Sequence, residues 1–349
     1  MSTDEILFEV KGAAGVVRLN RPKALNALTL TMVRALHPQL VQWADDPAIE
    51  RVIVKGEGDR AFCAGGDIRA LYDWGTSGNA LAVGFYEEEY KLNTLIKEYP
   101  KPYIALMDGI TMGGGVGLSV HGSHRVVTER LKFAMPETGI GLFPDVGGTY
   151  FLPRTPGCMG MFMSLTGARL NAADALVAGI ATQYVDSVRL DALMDDLCAA
   201  GADVDRVLAH YRDLSEDTGE APIAAMQRQI DALFAGGSVE DILAALDADG
   251  SEWAANQAAT IRTKSPTSLK VAHRQMVVGV RADFRTCMAT EFRIVSRIMT
   301  QRDFYEGVRA TIIDKDGAPN WQPDTLEAVT RADVDAIFAP LPGGDIELG

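Results

Sequence analysis

Apolar and polar positions alternate in short runs over the first 130 residues. GVVRLN (15–20), RVIVKGEG (51–58) and PYIALMDG (102–109) predict three strands, and HRVVTER with KFAM (124–135) predicts a strand pair. Between them TLTMVRALHPQLVQWADD (29–46) has helical periodicity behind Thr29, an expected N-cap. DRAFCAGGDI (59–68) reads as a loop leading into a helix around 68–74, and TSGN (76–79) as a break. FYEEEYKLNTLIKEY (85–99) is a helix stopped by Pro100, and GGGVGLSVHGS (113–123) begins another. Strands alternating with helices predict an α/β class.

After about residue 155 the period changes. GCMGMFMSLTG, LNAADALVAGI and SVRLDALMDDLCAAG are helical, and nearly everything from 203 to 301 follows. The expected division is an α/β core over 1–200 and a helical C-terminal region over 201–349, with no tandem repeat or low-complexity tract.

Length and composition fit that picture. The 349 residues are 47% hydrophobic and 23% charged, enough for a large packed interior. The net charge of -14 disfavours nucleic acid and anionic membrane as bulk partners, while a local Lys/Arg cluster can still hold a phosphate. Cys63, Cys158, Cys198 and Cys287 show no CxxC or metal spacing and read as reduced thiols. No leader-like opening and no apolar run near 18 residues appears, so the expected location is cytoplasmic.

Glycines and acids carry the candidate chemistry. Gly113, Gly114, Gly115 and Gly117 sit where a strand gives way to a helix. Each costs a helix roughly 1 kcal/mol relative to alanine, so either close packing or a ligand at the backbone N–H groups is implied. The run is neither a P-loop nor a GxGxxG loop. Gly65 and Gly66 precede Asp67, an expected N-cap. Two glycine-lined helix starts can aim two N–H groups at one point, as an oxyanion hole does. In AMPETGIGLFPDVGGTYF (134–151), Glu137 and Asp145 lie in an apolar setting without a cation. Asp145 reads either as a helix cap or as chemistry, and Glu137 as a cap, an arginine partner or chemistry. Glu89 lies in a run of three acids that most often marks a solvated face. His121 and His124 have an i, i+3 spacing but no third ligand, so no metal is expected. Ser119 has no nucleophile elbow around it.

AFCAGGDIRALYD, KPYIALMDGITMGGGVGLS and FAMPETGIGLFPDVGGTYFLPR together resemble the crotonase superfamily, the enoyl-CoA hydratase/isomerase fold. NRPKALNAL, EEYKLN (88–93), SPTSLK and DFYEGVRATIIDKD extend the resemblance over nearly the whole chain. It implies a crotonase-like ββα spiral followed by a helical C-terminal region. It also implies an oxyanion hole from the N–H groups of Gly66 and Gly114, each such donor being worth about 2.7–4 kcal/mol of barrier. One acid that hydratases of the family use corresponds to Gly117 and is missing; the other corresponds to Glu137. The family's hydrolase branch keeps the latter, loses the former, adds an acid matching Asp145 and carries one matching Glu89. Glu137 is then base or nucleophile, and Asp145 holds a substrate 3-hydroxyl or the water. Burial would raise both pKa values.

The resemblance places an acyl-CoA against the loop from Arg21 to Asn26, with Lys23 and Ala24, and against Ala64 and Asp67 of the AGGD loop. CoA is part of the substrate and no separate cofactor is implied. The implied reaction is hydrolysis of (S)-3-hydroxyisobutyryl-CoA to 3-hydroxyisobutyrate and CoA, a step of valine breakdown; whether the chain forms a homo-oligomer is left open by the sequence. 3-Hydroxypropionyl-CoA is the second substrate considered. The alternatives are hydration or double-bond isomerisation on the same fold, and a non-enzymatic or RNA-binding member of it.

Overall fold

The computed structural model describes residues 4–215 and 217–349. The chain repeats two strands followed by a helical turn or helix. β1 (Ile6–Lys11) and β2 (Ala14–Leu19) precede the helix Leu30–Asp45. β3 (Arg51–Gly56) and β4 (Ala61–Cys63) precede the helices Ile68–Thr76 and Leu81–Lys97. β5 (Tyr103–Met107) and β6 (Ile110–Met112) precede the single turn Gly114–Gly117. β7 (His124–Val127) and β8 (Lys132–Ala134) precede the 3-10 turn Glu137–Ile140, and β9 (Gln183–Tyr184) follows later.

The strands sort into two sheets, β1-β2-β3-β5-β7-β9 and β4-β6-β8. From β3 onward the first strand of each repeat joins the large sheet and the second joins the small one. Only β1 and β2 pair antiparallel in the large sheet; its other pairs are parallel. A parallel strand is covered on both faces, which is why β5 is an unbroken apolar run with every residue buried. This mixed α/β architecture is the class the sequence predicts.

The differences are local. β1 escapes the sequence reading because it is an edge strand with exposed Glu9 and Val10 and so lacks a buried period. β4 is three residues long and lies inside the expected loop. β7 and β8 do not pair, since they belong to different sheets. The helix expected from 113 shrinks to Gly114–Gly117. A Cβ on Gly115 would lie 2.1 Å from the Cys63 carbonyl oxygen, so that glycine serves close packing against β4. The helix expected from 85 starts at Leu81, where Asn79 Oδ1 accepts from the Leu81 N–H at 2.9 Å.

Contacts divide the chain into two units, neither of them a single stretch. The first comprises the chain through Gly66, Lys91–Phe133 and Leu170–Ala224. It holds the large sheet, on which Ile53, Leu106 and Val126 pack with Leu193, Leu197 and Leu208 of the helices Leu190–Cys198 and Val204–Leu214. The second comprises Asp67–Tyr90, Ala134–Arg169 and Ala225–Gly349 and is chiefly helical. In its core Phe162 meets Phe234 edge-on with centroids 5.2 Å apart, and Trp253 lies 6.0 Å from Phe162.

Candidate active site

Two glycine loops meet in the first unit. The segment around Lys23 and Ala24 is a short 3-10 turn, Pro22–Ala24, that leaves through Leu25 and Asn26, both at positive φ. Buried Asn26 makes that geometry pay by accepting from Arg21 N and donating to the carbonyls of Glu57 and Ala61. The turn is tied to the AGGD loop: Ala64 N–H donates to Leu25 at 3.0 Å and Leu28 N–H to Gly65 at 2.8 Å. Lys23, Ala24, Ala64 and Gly66 therefore lie together, with Lys23 exposed. A Cβ on Gly65 would sit 3.9 Å from Gly114 N, which brings the second glycine run to the same place. Gly114 opens a helical turn, where an N–H has no acceptor within the helix. Asp67 caps the helix Ile68–Thr76 by accepting from Ala70 N–H at 3.3 Å, as expected. The hydroxyl of Ser119 donates to the Gly115 carbonyl at 2.8 Å. The His124 ring lies 3.1 Å from Asp205 and 2.8 Å from Ser123. Among the described residues no group of three His, Cys, Asp or Glu is arranged to hold a metal ion.

The acids gather in the second unit. Glu137 begins its 3-10 turn 5% exposed, Asp145 is 4% exposed, and Glu89 is 2% exposed on the helix Leu81–Lys97. Glu89 is thus no part of a solvated face. Asp145 is not a helix cap either: the turn Gly148–Phe151 has Gly147 at its N-cap with no side-chain bond from Asp145. The Asp145 carboxylate instead accepts from the Tyr90 hydroxyl at 2.9 Å. Among the described residues, Glu137 Oε2 and Glu89 Oε1 are buried without a hydrogen-bond partner.

The cap comes from far along the chain. Glu291, fully buried on the helix Phe284–Ile298, accepts from Gly147 N–H and Thr149 N–H, each at 2.8 Å. Gln275 donates to the Pro144 carbonyl at 3.0 Å and to the Thr149 hydroxyl at 2.7 Å. This clamp holds Val146 at φ +49, an unusual state for a β-branched residue, and Gly147 at φ +89. The 3-10 turn is supported likewise, since Ser265 N–H donates to the Thr138 carbonyl at 3.2 Å. A Cβ on Gly141 would lie 2.2 Å from the Asp303 carbonyl oxygen.

Burial raises the proton affinity of four carboxylates, Glu89, Glu137, Asp145 and Glu291, and the charge of Asp145 adds to it at the other three. Burial, then the charge of Asp145, pushes Glu137 well above the usual carboxylate range. Burial, then Asp145 and Glu291, does the same to Glu89. Burial lifts Asp145 to about 7 against the Tyr90 hydrogen bond, which favours its charged form. Burial lifts Glu291 to about 8 against the Gly147 N–H. The expected direction for Glu137 and Asp145 is therefore found. Carboxyls whose proton affinity is raised in this way are the kind suited to general acid–base work.

Tyr86, Tyr90, Gln275 and Glu291 escape the sequence reading. A signal for Glu291 exists: it continues the buried series Phe284, Cys287, Met288 and Phe292, so it is an acid on the apolar face of an amphipathic helix. Tyr86 and Tyr90 have no comparable signal, because tyrosine at helical spacing reads as core.

A family model described as enoyl-CoA hydratase/isomerase matches residues 14–338. The chain is 50% identical to the mitochondrial 3-hydroxyisobutyryl-CoA hydrolase of Danio rerio over 350 residues, covering 99% of this chain and 92% of that protein. It is 46% identical to the Homo sapiens protein of the same description, covering 99% and 91%. Among solved structures, a carnitinyl-CoA dehydratase from Mycobacterium thermoresistibile superposes with a TM-score of 0.93 at 40% identity, covering 98% of each chain. These findings overturn the cytoplasmic location expected from the sequence, for the curated relatives are mitochondrial proteins.

Proposed function

Since the chain belongs to the enoyl-CoA hydratase/isomerase family, we propose that it is a thioester hydrolase converting (S)-3-hydroxyisobutyryl-CoA and water to 3-hydroxyisobutyrate and CoA. The fold alone does not choose this reaction, because relatives and structural neighbours carry different activities in their names. The observation that carries the choice is the acid set: Glu137 is buried with Oε2 unpartnered among the described residues, and Gly117 stands where a hydratase's other acid is expected. Hydration needs acid and base work at two adjacent carbons, whereas hydrolysis needs one group acting at the carbonyl together with oxyanion stabilisation.

In this reading Glu137 acts at the thioester carbon, by taking a proton from water or by direct attack through a mixed anhydride. In the second route the C–S bond breaks and the thiolate leaves as CoA when the anhydride forms, and water then opens the anhydride to free the acid and Glu137. Asp145, fixed by Tyr90, holds the substrate's 3-hydroxyl or the water. The N–H groups of Gly66 and Gly114 are the oxyanion donors, and the loop carrying Lys23 and Ala24 with Ala64 and Asp67 receives the CoA moiety. CoA is product, not cofactor. The reaction belongs to valine breakdown, and light scattering reads whether the protein is a homo-oligomer.

The test is release of free thiol from 3-hydroxyisobutyryl-CoA beside loss of enoyl absorbance from crotonyl-CoA. Thiol release that Glu137→Gln lowers by roughly 100-fold or more, with CoA binding retained, is the expected outcome. Turnover of crotonyl-CoA without thiol release would sink the hydrolase reading.

A further inference from the structure

The helix Leu81–Lys97 carries a polar stripe on its buried face. Tyr86, Glu89, Tyr90 and Asn93 follow at three- and four-residue spacing and so share that face. Among the described residues the Tyr86 hydroxyl, Glu89 Oε1 and both amide atoms of Asn93 are buried without a hydrogen-bond partner. Only Tyr90 has its hydroxyl committed, to Asp145 at 2.9 Å.

An orphaned buried hydroxyl calls for an explanation, since a buried polar group normally finds a partner. Packing does not supply one for Tyr86. Its ring meets Phe85 at 5.5 Å and Tyr90 at 6.0 Å, both edge-on, and a phenylalanine would keep both contacts. Ionisation does not supply one either. Burial, then the charges of Asp145 and Glu89, holds the phenol in its neutral, donating form. A neutral donor beside an acid with a spare oxygen matches one ligand feature, a hydroxyl, which accepts from one and donates to the other.

We infer that Tyr86 is a specificity-determining residue that donates to the 3-hydroxyl oxygen of the acyl group, while Glu89 Oε1 accepts that hydroxyl's proton. The inference rests on the hydrolase reading and deepens it. With the 3-hydroxyl taken by Tyr86 and Glu89, Asp145 is left to the water. An acyl chain without the hydroxyl strands both groups again, which is how a site rejects a deoxy analogue.

The experiment compares single-turnover CoA release from 3-hydroxyisobutyryl-CoA and from isobutyryl-CoA, which lacks only the hydroxyl. Tyr86→Phe is expected to lower kcat/KM on the first by roughly 10- to 100-fold and to leave the second unchanged, erasing selectivity. Its melting temperature should hold or rise, because an unpartnered hydroxyl is removed; a structural hydroxyl would make it fall. Glu89→Gln should narrow the same selectivity. Equal losses on both substrates, or no loss on either, would overturn the inference. No CoA release from either substrate by the unaltered protein would instead bring down the hydrolase reading, and this inference with it.

Discussion

Asp145 shows how one buried carboxylate can cost stability. Its pKa rises from an ordinary 3.8 to about 7 on folding. The folded chain therefore binds the proton more tightly than the unfolded one. The group's contribution is most favourable below the unfolded value and is lost as pH climbs from about 4 through 7. A shift of that size corresponds to a few kcal/mol, roughly 1.4 for each pH unit. Asp145→Asn keeps an oxygen for Tyr90 and removes the titration. Its melting temperature relative to the unaltered protein should rise steadily between pH 4 and 7. A flat difference across that window would show that Asp145 folds with an ordinary pKa. The sequence placed Glu137 and Asp145 in an apolar stretch without a cation and so gave the direction of both shifts. What it left open was cap against chemistry at Asp145, because Pro-Asp-Val-Gly-Gly is a good capping sequence in isolation. The partners that exclude the cap are Tyr90, 55 residues from Asp145, and Glu291, 144 residues from the Gly147 N–H it receives.

Elements were legible in proportion to their local period. The helix Leu30–Asp45 with its Thr29 cap, the strands β2, β3 and β5, and the C-terminal helices all announce themselves through apolar spacing. β4 and the turn Gly114–Gly117 do not, since three or four residues hold no period and tertiary packing defines them. The turn Gly148–Phe151 is too short to stand alone, and its N–H groups are satisfied by the Phe284–Ile298 helix. Glu291→Gln keeps one acceptor oxygen and turns the second into an amide NH2 that cannot accept. Leaving a buried N–H unpaired in this way costs about 1–3 kcal/mol. We expect a lower melting temperature and a fall in kcat larger than any change in KM, because the loop carrying Asp145 is loosened while the loops proposed to receive CoA are untouched. Unchanged kcat and melting temperature would show that Gln275 and packing suffice.

The whole molecule is acidic, with 47 acids against 33 lysines and arginines. A CoA thioester is itself polyanionic, so long-range repulsion opposes its approach. Raising ionic strength from about 10 to 150 mM shortens the screening length from roughly 30 to 8 Å. kcat/KM for the acyl-CoA should therefore rise over that range while kcat stays level. A fall instead would mean that local cations near the CoA loop outweigh the net charge. The same acidity argues against RNA as a partner. No helix among the described residues is long and apolar enough to cross a membrane.

The clamp on the 144–149 loop also sets an order of events during synthesis. The ribosome makes Gly147 well before Glu291, a gap of 144 residues. At roughly 5–20 residues per second that is on the order of 10 s of translation. Throughout that interval the nascent chain carries three acids of the cluster, and the N–H groups of Gly147 and Thr149 have no receiving carboxylate. This loop is thus finished only once residue 291 has been made, and a polypeptide released before it cannot assemble the clamp.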